Sequence, residues 1–452
     1  MDPSLKANLE DINQLAQQLE SPVYLVGGTV RDHLLDKPCS DYDLTALNAP
    51  EIAHAWAQQV QKTLIPLDET PGHETYRIVI HPDLYFDFTT LQGQTIEEDL
   101  SQRDFTINAM AVALSDFIEE QQNLIDPFNG QNDLRNQIIR VLPGRTFEDD
   151  PLRLLRAFRF ASTLEFDIEP QTLAQIETHR TRLNEVAQER VTYELLLLFG
   201  AARSHIHRLH MTHLLEVLFP GITEYISSPG AQTHSTRFND PLKTFAELEN
   251  LLLRPEDYLE QHAQRIKDYI SKQSRFALLK WSTLVRPLAT ASAFDTIDFL
   301  KKFRLSNSDI QFVHRTLKFS YILLTEASSA GGGFKEGPAL YQFVHRSGHE
   351  LISSLLLSLA VRMGNQGDIK YFIPLINRIL DFYIKRYLPA QDGTVLLDGD
   401  DLQKKFQLKP SPRFKSILEK VEEARVLGTI HTKEEAEQFA KELITSQVEL
   451  TE

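Results

Sequence analysis

The stretch Leu25-Val26-Gly27-Gly28-Thr29-Val30-Arg31-Asp32-His33-Leu34-Leu35-Asp36, followed by Asp41-Tyr42-Asp43-Leu44, decides how this chain is read. Val23–Val26 is a short apolar run ending in two glycines, the pattern of a strand entering a tight turn. Glycines there let a backbone approach a phosphate, amides at a following helix start favour its charge, and Arg31 adds a guanidinium. Asp41 and Asp43 are two apart, so on a strand both leave the same face. Two close carboxylates repel, and a divalent cation relieves that repulsion. Alone, such a pair is more often a solvated loop or a helix cap. The phosphate-approach signal upstream changes its meaning, because a phosphate cradle beside a metal-binding pair is what nucleotidyl transfer requires.

Working outward, Tyr76–Ile80 and Leu84–Phe88 flank His81-Pro82-Asp83 and read as a hairpin. Asp87 lies on its second strand and completes a three-carboxylate site if that strand neighbours Asp41 and Asp43. Met1–Glu20 and Arg103–Leu114 read as helices, the latter with Asp104 as its cap and Asn108 satisfied locally. From about Ile138 strand signals nearly vanish. Helical spacing takes over in Leu152–Ala161, Val191–Phe199, Leu242–Leu253, Phe276–Leu284, Leu351–Val361 and Tyr371–Tyr383. Glu148-Asp149-Asp150-Pro151-Leu152-Arg153 reads as a helix opening, with an Asp150–Arg153 pair at i,i+3. Ser328–Gly333 reads as a flexible linker. The expected fold is an α+β N-terminal head, a mixed sheet with helices, followed by an elongated all-α neck, body and tail.

Composition narrows the function. Among 452 residues, 47 Lys and Arg stand against 63 Asp and Glu, a net charge of −16, which argues against a protein that coats nucleic acid through bulk charge. A single cysteine, Cys39, rules out a disulfide framework and a Cys-based zinc site, and fits a reducing, cytoplasmic setting. No targeting segment is visible, and Leu351–Val361 is too short to span a bilayer, so no membrane partner is expected.

The Leu25–Asp36 run with Asp41-Tyr42-Asp43 resembles the first motif of the class II tRNA nucleotidyltransferase and bacterial poly(A) polymerase family, within the polymerase-β-like nucleotidyltransferases. The resemblance implies that Asp41 and Asp43 are the catalytic, Mg²⁺-binding pair of a two-metal site, with Asp87 as a third carboxylate. Gly27, Gly28 and Arg31 would meet the triphosphate. Arg103-Asp104-Phe105-Thr106-Ile107-Asn108 resembles the family's ribose motif, giving Arg103, Asp104 and Asn108 to the ribose; Gln102 stands where relatives often carry another arginine. Ile125–Leu134 resembles the connection from head to neck. Asp149-Asp150-Pro151-Leu152-Arg153 resembles the family's amino-acid template, with Asp149 in place of the usual Glu. Asp150 would accept from the exocyclic amine of cytosine or adenine and Arg153 would donate to a ring nitrogen, selecting CTP and ATP. Arg156, Arg159 and Arg190 would contact RNA or nucleotide, or support the neck.

The resemblance is strong to about Leu198, loose in the middle and moderate in the tail, Leu397 to Ala436, which by resemblance helps hold tRNA. It implies a head at 1–137, a neck at 138–200, a body at 201–330 and a tRNA-binding tail at 331–452. The expected reaction builds or repairs the 3′-CCA end of tRNA without a nucleic-acid template. Only Leu91 to Ile96 separates Thr90 from Glu97-Glu98-Asp99-Leu100. By resemblance, so short a connection belongs to CC-adding enzymes, which need a separate A-adding partner. Some relatives carry a phosphohydrolase after the neck; here Lys280-Trp281 replaces the His-Asp pair and His234 stands alone, so that activity is not expected. Arg203, His205, His207, Arg208 and His210 form an amphipathic helix or a tRNA-contacting surface. The alternatives are a poly(A) polymerase on the same scaffold and a non-catalytic tRNA-binding protein.

Overall fold

The computed structural model describes residues 2–121, 123–226, 240–271, 275–289, 295–327, 334, 337–365, 367, 369–408 and 412–446. His234 and the 328–333 segment lie outside the described residues. The chain divides into two compact units, Met1–Leu218 and Phe219–Glu452.

The first unit is built on a seven-stranded mixed sheet. Its strands are β1 (Tyr24–Val26), β2 (Asp41–Ala46), β3 (Leu64–Asp68), β4 (Thr75–His81), β5 (Leu84–Thr90), β6 (Ala111–Ala113) and β7 (Leu124–Ile125), in the order β3-β4-β5-β2-β1-β6-β7. Only β2 and β5 run parallel; β4 and β5 form the expected hairpin. The N-terminal helix Pro3–Gln18 starts at Asp2, whose side chain accepts from the Ser4 and Leu5 amides. It buries Leu9, Ile12 and Ala16 at helical spacing. It packs on helix Ala49–Gln59, whose fully buried Trp56 meets Phe86 and Phe88 of β5 edge-on or tilted. Along β2, Tyr42 and Leu44 point into this core, so the alternate residues Asp41 and Asp43 face the other way.

Three expectations are corrected here. Arg103–Leu114 is not a helix. It is a single 3₁₀ turn at Thr106–Asn108, then β6, then helix Leu114–Ile118. Ala111–Ala113 fits the slot between β1 and β7, and those sheet hydrogen bonds override a locally helical pattern. Strand structure also continues past Ile138, where β8 (Ile138–Ile139) pairs in parallel with β9 (Asp167–Ile168). Third, Thr146–Asp149 is a separate helical turn, and the long helix begins only at Arg153. Asp150 is extended, φ −140° and ψ 98°, because a residue preceding proline is pushed out of the helical region. Helix Arg153–Leu164 then packs on helix Gln188–Gly200. In the histidine-rich segment that follows, Arg208 pairs with Asp167 and His210 with Glu216.

The second unit is helical among its described residues. Pro241–Leu253, Phe276–Ala289, Asn307–Glu326 and Leu351–Gly364 pack together, and every residue of Leu351–Val361 is buried, as a core helix requires. Lys280 is fully buried against Glu249, Nζ to Oε1 2.8 Å. The last three helices, Gly399–Phe406, Pro412–Val426 and Lys433–Ser446, share a small core of Leu397, Leu402, Ile417, Val421, Ala424, Ile430, Ala436 and Ala440. No described helix is long and apolar enough to cross a membrane.

Candidate active site

The site grows from β2. In parallel register Asp43 lies opposite Asp87 of β5, and Asp41, Asp43 and Asp87 each offer a carboxylate oxygen within 4.8 Å of the others. Thr29, at the start of helix Gly28–Leu34, pins this edge: its hydroxyl accepts from the Asp43 amide at 2.7 Å and donates to the Asp41 carbonyl at 3.1 Å. Burial, then the charge of Asp87, pushes Asp41 up to about 6; burial, then the charge of Asp41, pushes Asp43 up to about 7. Asp41 Oδ1 is buried without a hydrogen-bond partner. Crowded carboxylates that resist ionisation, one with an orphaned oxygen, are a donor set that fits a divalent cation.

Glycine is required where this edge meets the next wall. Gly27 has φ +63°, and a Cβ there would stand 2.8 Å from Arg103 Nη1. Gly28 follows, with Asp43 Oδ2 3.5 Å from its own would-be Cβ. Arg31 is buried and engaged: Nε and Nη2 donate to Asp32, and Nη1 donates to Asn108 Oδ1 at 2.7 Å.

From Asn108 a polar chain continues. Its Nδ2 donates to Asp104 Oδ1 at 2.9 Å, and Arg156 Nε donates to Asp104 Oδ2 at 2.8 Å. Burial alone would raise the Asp104 carboxyl, but the Arg156 guanidinium and the Asn108 amide outweigh it and hold it low. Asp104 is therefore no helix cap. Arg156 and Arg159 both reach the buried Glu194, and Arg159 lies 4.0 Å over the Phe160 ring. Asp150 pairs with Arg190 at 2.9 Å, not with Arg153 as the helix-opening reading expected. Arg153 donates instead to the carbonyls of Arg103 at 3.1 Å and Gln102 at 2.5 Å.

These residues line one cavity of ≈ 530 Å³. Six arginines (31, 103, 153, 156, 159 and 190) face four aspartates (41, 43, 104 and 150) across it. That excess suits a polyanion held beside a metal. Asp87 stands behind the cavity, with both oxygens held by Arg77 at 2.7 and 2.6 Å.

Residues 23–140 match the family model described as Poly A polymerase head domain, and residues 165–226 the one described as a probable RNA and SrmB-binding site of polymerase A. A "CCA-adding enzyme" from Pediococcus pentosaceus is 31% identical over 68% of this chain and 72% of its own length. The chain belongs to the class II tRNA nucleotidyltransferase family. A "CC-adding tRNA nucleotidyltransferase" from Geobacter sulfurreducens is 40% identical, over 41% of this chain and only 42% of that relative. An "A-adding tRNA nucleotidyltransferase" from Deinococcus radiodurans is 28% identical over 92% and 94%. A solved CCA-adding enzyme structure with ATP superposes with TM-score 0.70 at 22% identity, covering 99% of this chain and 95% of its own, which establishes a shared fold.

Read as a nucleotidyltransferase, the chain brings every expected site residue except Asp87 to a single cavity. Sequence reasoning missed Arg77, Thr29, Asp99, Phe160 and Glu194. Arg77 was discoverable, because counting back from the hairpin turn sets it opposite Asp87. Asp99 and Arg103 sit at i,i+4 spacing, a pairing signal in itself. Glu194 carried no local signal, since its partners lie 35 and 38 residues away.

Proposed function

We propose that this nucleotidyltransferase builds or repairs the 3′-CCA end of tRNA without a nucleic-acid template, releasing pyrophosphate, and that it is of the CC-adding subtype, which adds the two C residues and leaves the terminal A to a separate enzyme. The observation that carries the reading is the single cavity, with the Asp41–Asp43 pair at one wall and Asp150 with Arg153 at another. Asp41 and Asp43 would hold Mg²⁺, and that ion would supply activation of the attacking hydroxyl and stabilisation of the leaving pyrophosphate. Gly27 and Gly28 let the triphosphate approach the backbone, and Arg31 contributes its charge while three of its five N–H groups hold Asp32 and Asn108. Arg103, Asp104 and Asn108 face the ribose. Asp150, steadied by Arg190, accepts from a base amine, and Arg153 donates to the ring. Uracil and guanine offer a carbonyl where Asp150 needs a donor, and an unpaired carboxylate is costly enough to reject them. Residues 1–137 are the head, 138–200 the template-bearing neck, 201–330 a helical body and 331–452 a tail that helps hold the tRNA.

The subtype rests on the short connection after β5. Gln92 Nε2 donates to the carbonyls of Gly72 and Thr90, each at 2.8 Å, and the Gln94 amide donates to Glu98 at 2.6 Å, so the segment is a tied turn with little length to move. The test offers tRNA lacking CCA, with Mg²⁺, to the protein with CTP, ATP or both. Products ending in CC with both nucleotides present support the subtype. Full CCA removes the subtype and leaves the family reaction. A long adenylate tract indicates a poly(A) polymerase, and addition of A only to tRNA already ending in CC indicates an A-adding enzyme. Tight tRNA binding without transfer, equal in wild type and Asp41→Ala, indicates a binding protein.

A further inference from the structure

One buried carboxylate touches this site from behind. Asp99, in helix Ile96–Ser101, is 3% exposed. Its Oδ1 accepts from the Gln92 amide at 3.0 Å; its Oδ2 accepts from Arg103 Nε at 3.1 Å and Nη2 at 2.9 Å. Gln92 is the same residue whose side chain ties the 91–95 connection to Gly72 and Thr90. Asp99 therefore joins that connection to Arg103. The third nitrogen of the guanidinium, Nη1, lies 2.8 Å from the point where a Gly27 Cβ would stand, and Asp43 Oδ2 lies 3.6 Å from the same point. Arg103 is thus beside Asp43, yet its ion pair is with Asp99.

We infer that Asp99 is a positioning residue that holds the Arg103 guanidinium off Asp43, keeping Asp43 available to a divalent cation, and that the 91–95 connection takes part through the Gln92 amide. The inference rests on the reading of Asp41 and Asp43 as metal carboxylates. Its physical basis is competition. A guanidinium released from Asp99 has the Asp43 carboxylate within a few ångströms, in partly desolvated space where the attraction is strong. A guanidinium paired with Asp43 neutralises its charge and takes a lone pair, so a divalent cation binds that carboxylate more weakly.

The test is direct Mn²⁺ binding to the full-length protein without nucleotide, read by the electron paramagnetic resonance of free Mn²⁺, with the melting temperature of every variant. Asp99→Asn keeps the size and the acceptor for Gln92 while removing the charge that holds Arg103. Mn²⁺ affinity should fall about tenfold, the equivalent of one unit in carboxylate proton affinity. Adding Arg103→Ala to Asp99→Asn should restore it, which relief of a merely structural defect would not do. Gln92→Pro, which deletes the amide, should shift affinity the same way by less. Wild-type affinity in Asp99→Asn, or no rescue by Arg103→Ala, overturns the inference; wild-type affinity in Gln92→Pro overturns the part given to the connection. Wild-type Mn²⁺ binding no stronger than that of an Asp41→Ala, Asp43→Ala double variant removes the metal reading and this inference with it. CTP transfer is scored separately, so failure of the Asp99 role leaves the proposed reaction standing.

Discussion

Asp43 and Asp87 are register partners on parallel strands, but only Asp87 is neutralised by a side chain: Arg77, its register partner on β4, takes both of its oxygens. One arginine thus divides three carboxylates into a structural ion pair and an open pair.

Arg77→Met should expose that division. Without the guanidinium, Asp87 adds an uncompensated charge to Asp41 and Asp43. The metal-free protein should lose about 1–3 kcal/mol in urea unfolding, the cost of an unpaired buried polar group. Excess Mg²⁺ should return much of the loss. An unchanged unfolding midpoint with and without metal would show that the three carboxylates do not share a field.

The raised carboxylates set a pH dependence of definite sign. With folded values of about 6 for Asp41 and about 7 for Asp43, above the ordinary carboxylate range, the folded state binds more protons than the unfolded state. Their contribution to stability is present below the unfolded value and is lost as pH rises through about 6 to 7. In chelator, the wild-type melting temperature should decline between about pH 5 and 8 more steeply than that of Asp43→Asn. Mg²⁺ should flatten the decline, and transfer activity should rise across the same interval.

Gly130→Ala should be severe for reasons of space alone. The new Cβ would stand 2.1 Å from the Thr106 carbonyl oxygen and 2.8 Å from its carbon, both backbone atoms. Relief requires moving the Thr106–Asn108 turn, and with it Asn108. A loss of about 3 kcal/mol is expected, with reduced transfer activity. Gly200→Ala is the control: no atom lies within 4 Å of its Cβ position, so its stability should stay within about 1 kcal/mol of wild type.

In the helical unit, Lys280→Met should cost about 3–5 kcal/mol by leaving Glu249 buried and charged. The double variant Glu249→Leu, Lys280→Met should recover most of that in the same denaturation experiment. If the double variant is no better than the single one, the ion pair is not the source of the loss.

Several features were legible because they depend on neighbours in the chain. Apolar Val23–Val26 before Gly27-Gly28 had to be a strand and a turn. Asp41 and Asp43 share a face because a strand repeats every two residues, and the turn at His81-Pro82-Asp83 sets the hairpin. Leu351–Val361, apolar on nearly every face, had to be buried. The misreadings share one cause. Ala111–Ala113 has helix-forming residues, but a vacancy between β1 and β7 gives its backbone better hydrogen bonds. Asp150 has an arginine three residues on, yet Pro151 turns it outward toward Arg190, forty residues away.

The sequence by itself therefore determined the family, the residue types of the site and the local shape of the β1 turn, β2 and the hairpin, but not that of the pieces carrying Asp104 and Asp150. The tertiary structure alone decided the distant pairs: Arg156 with Asp104, Arg159 with Glu194, Arg190 with Asp150. The reason is physical. Periodicity and turn chemistry act over a few residues, while a buried charge takes the partner that the packed chain brings within about 3 Å, at whatever separation in sequence.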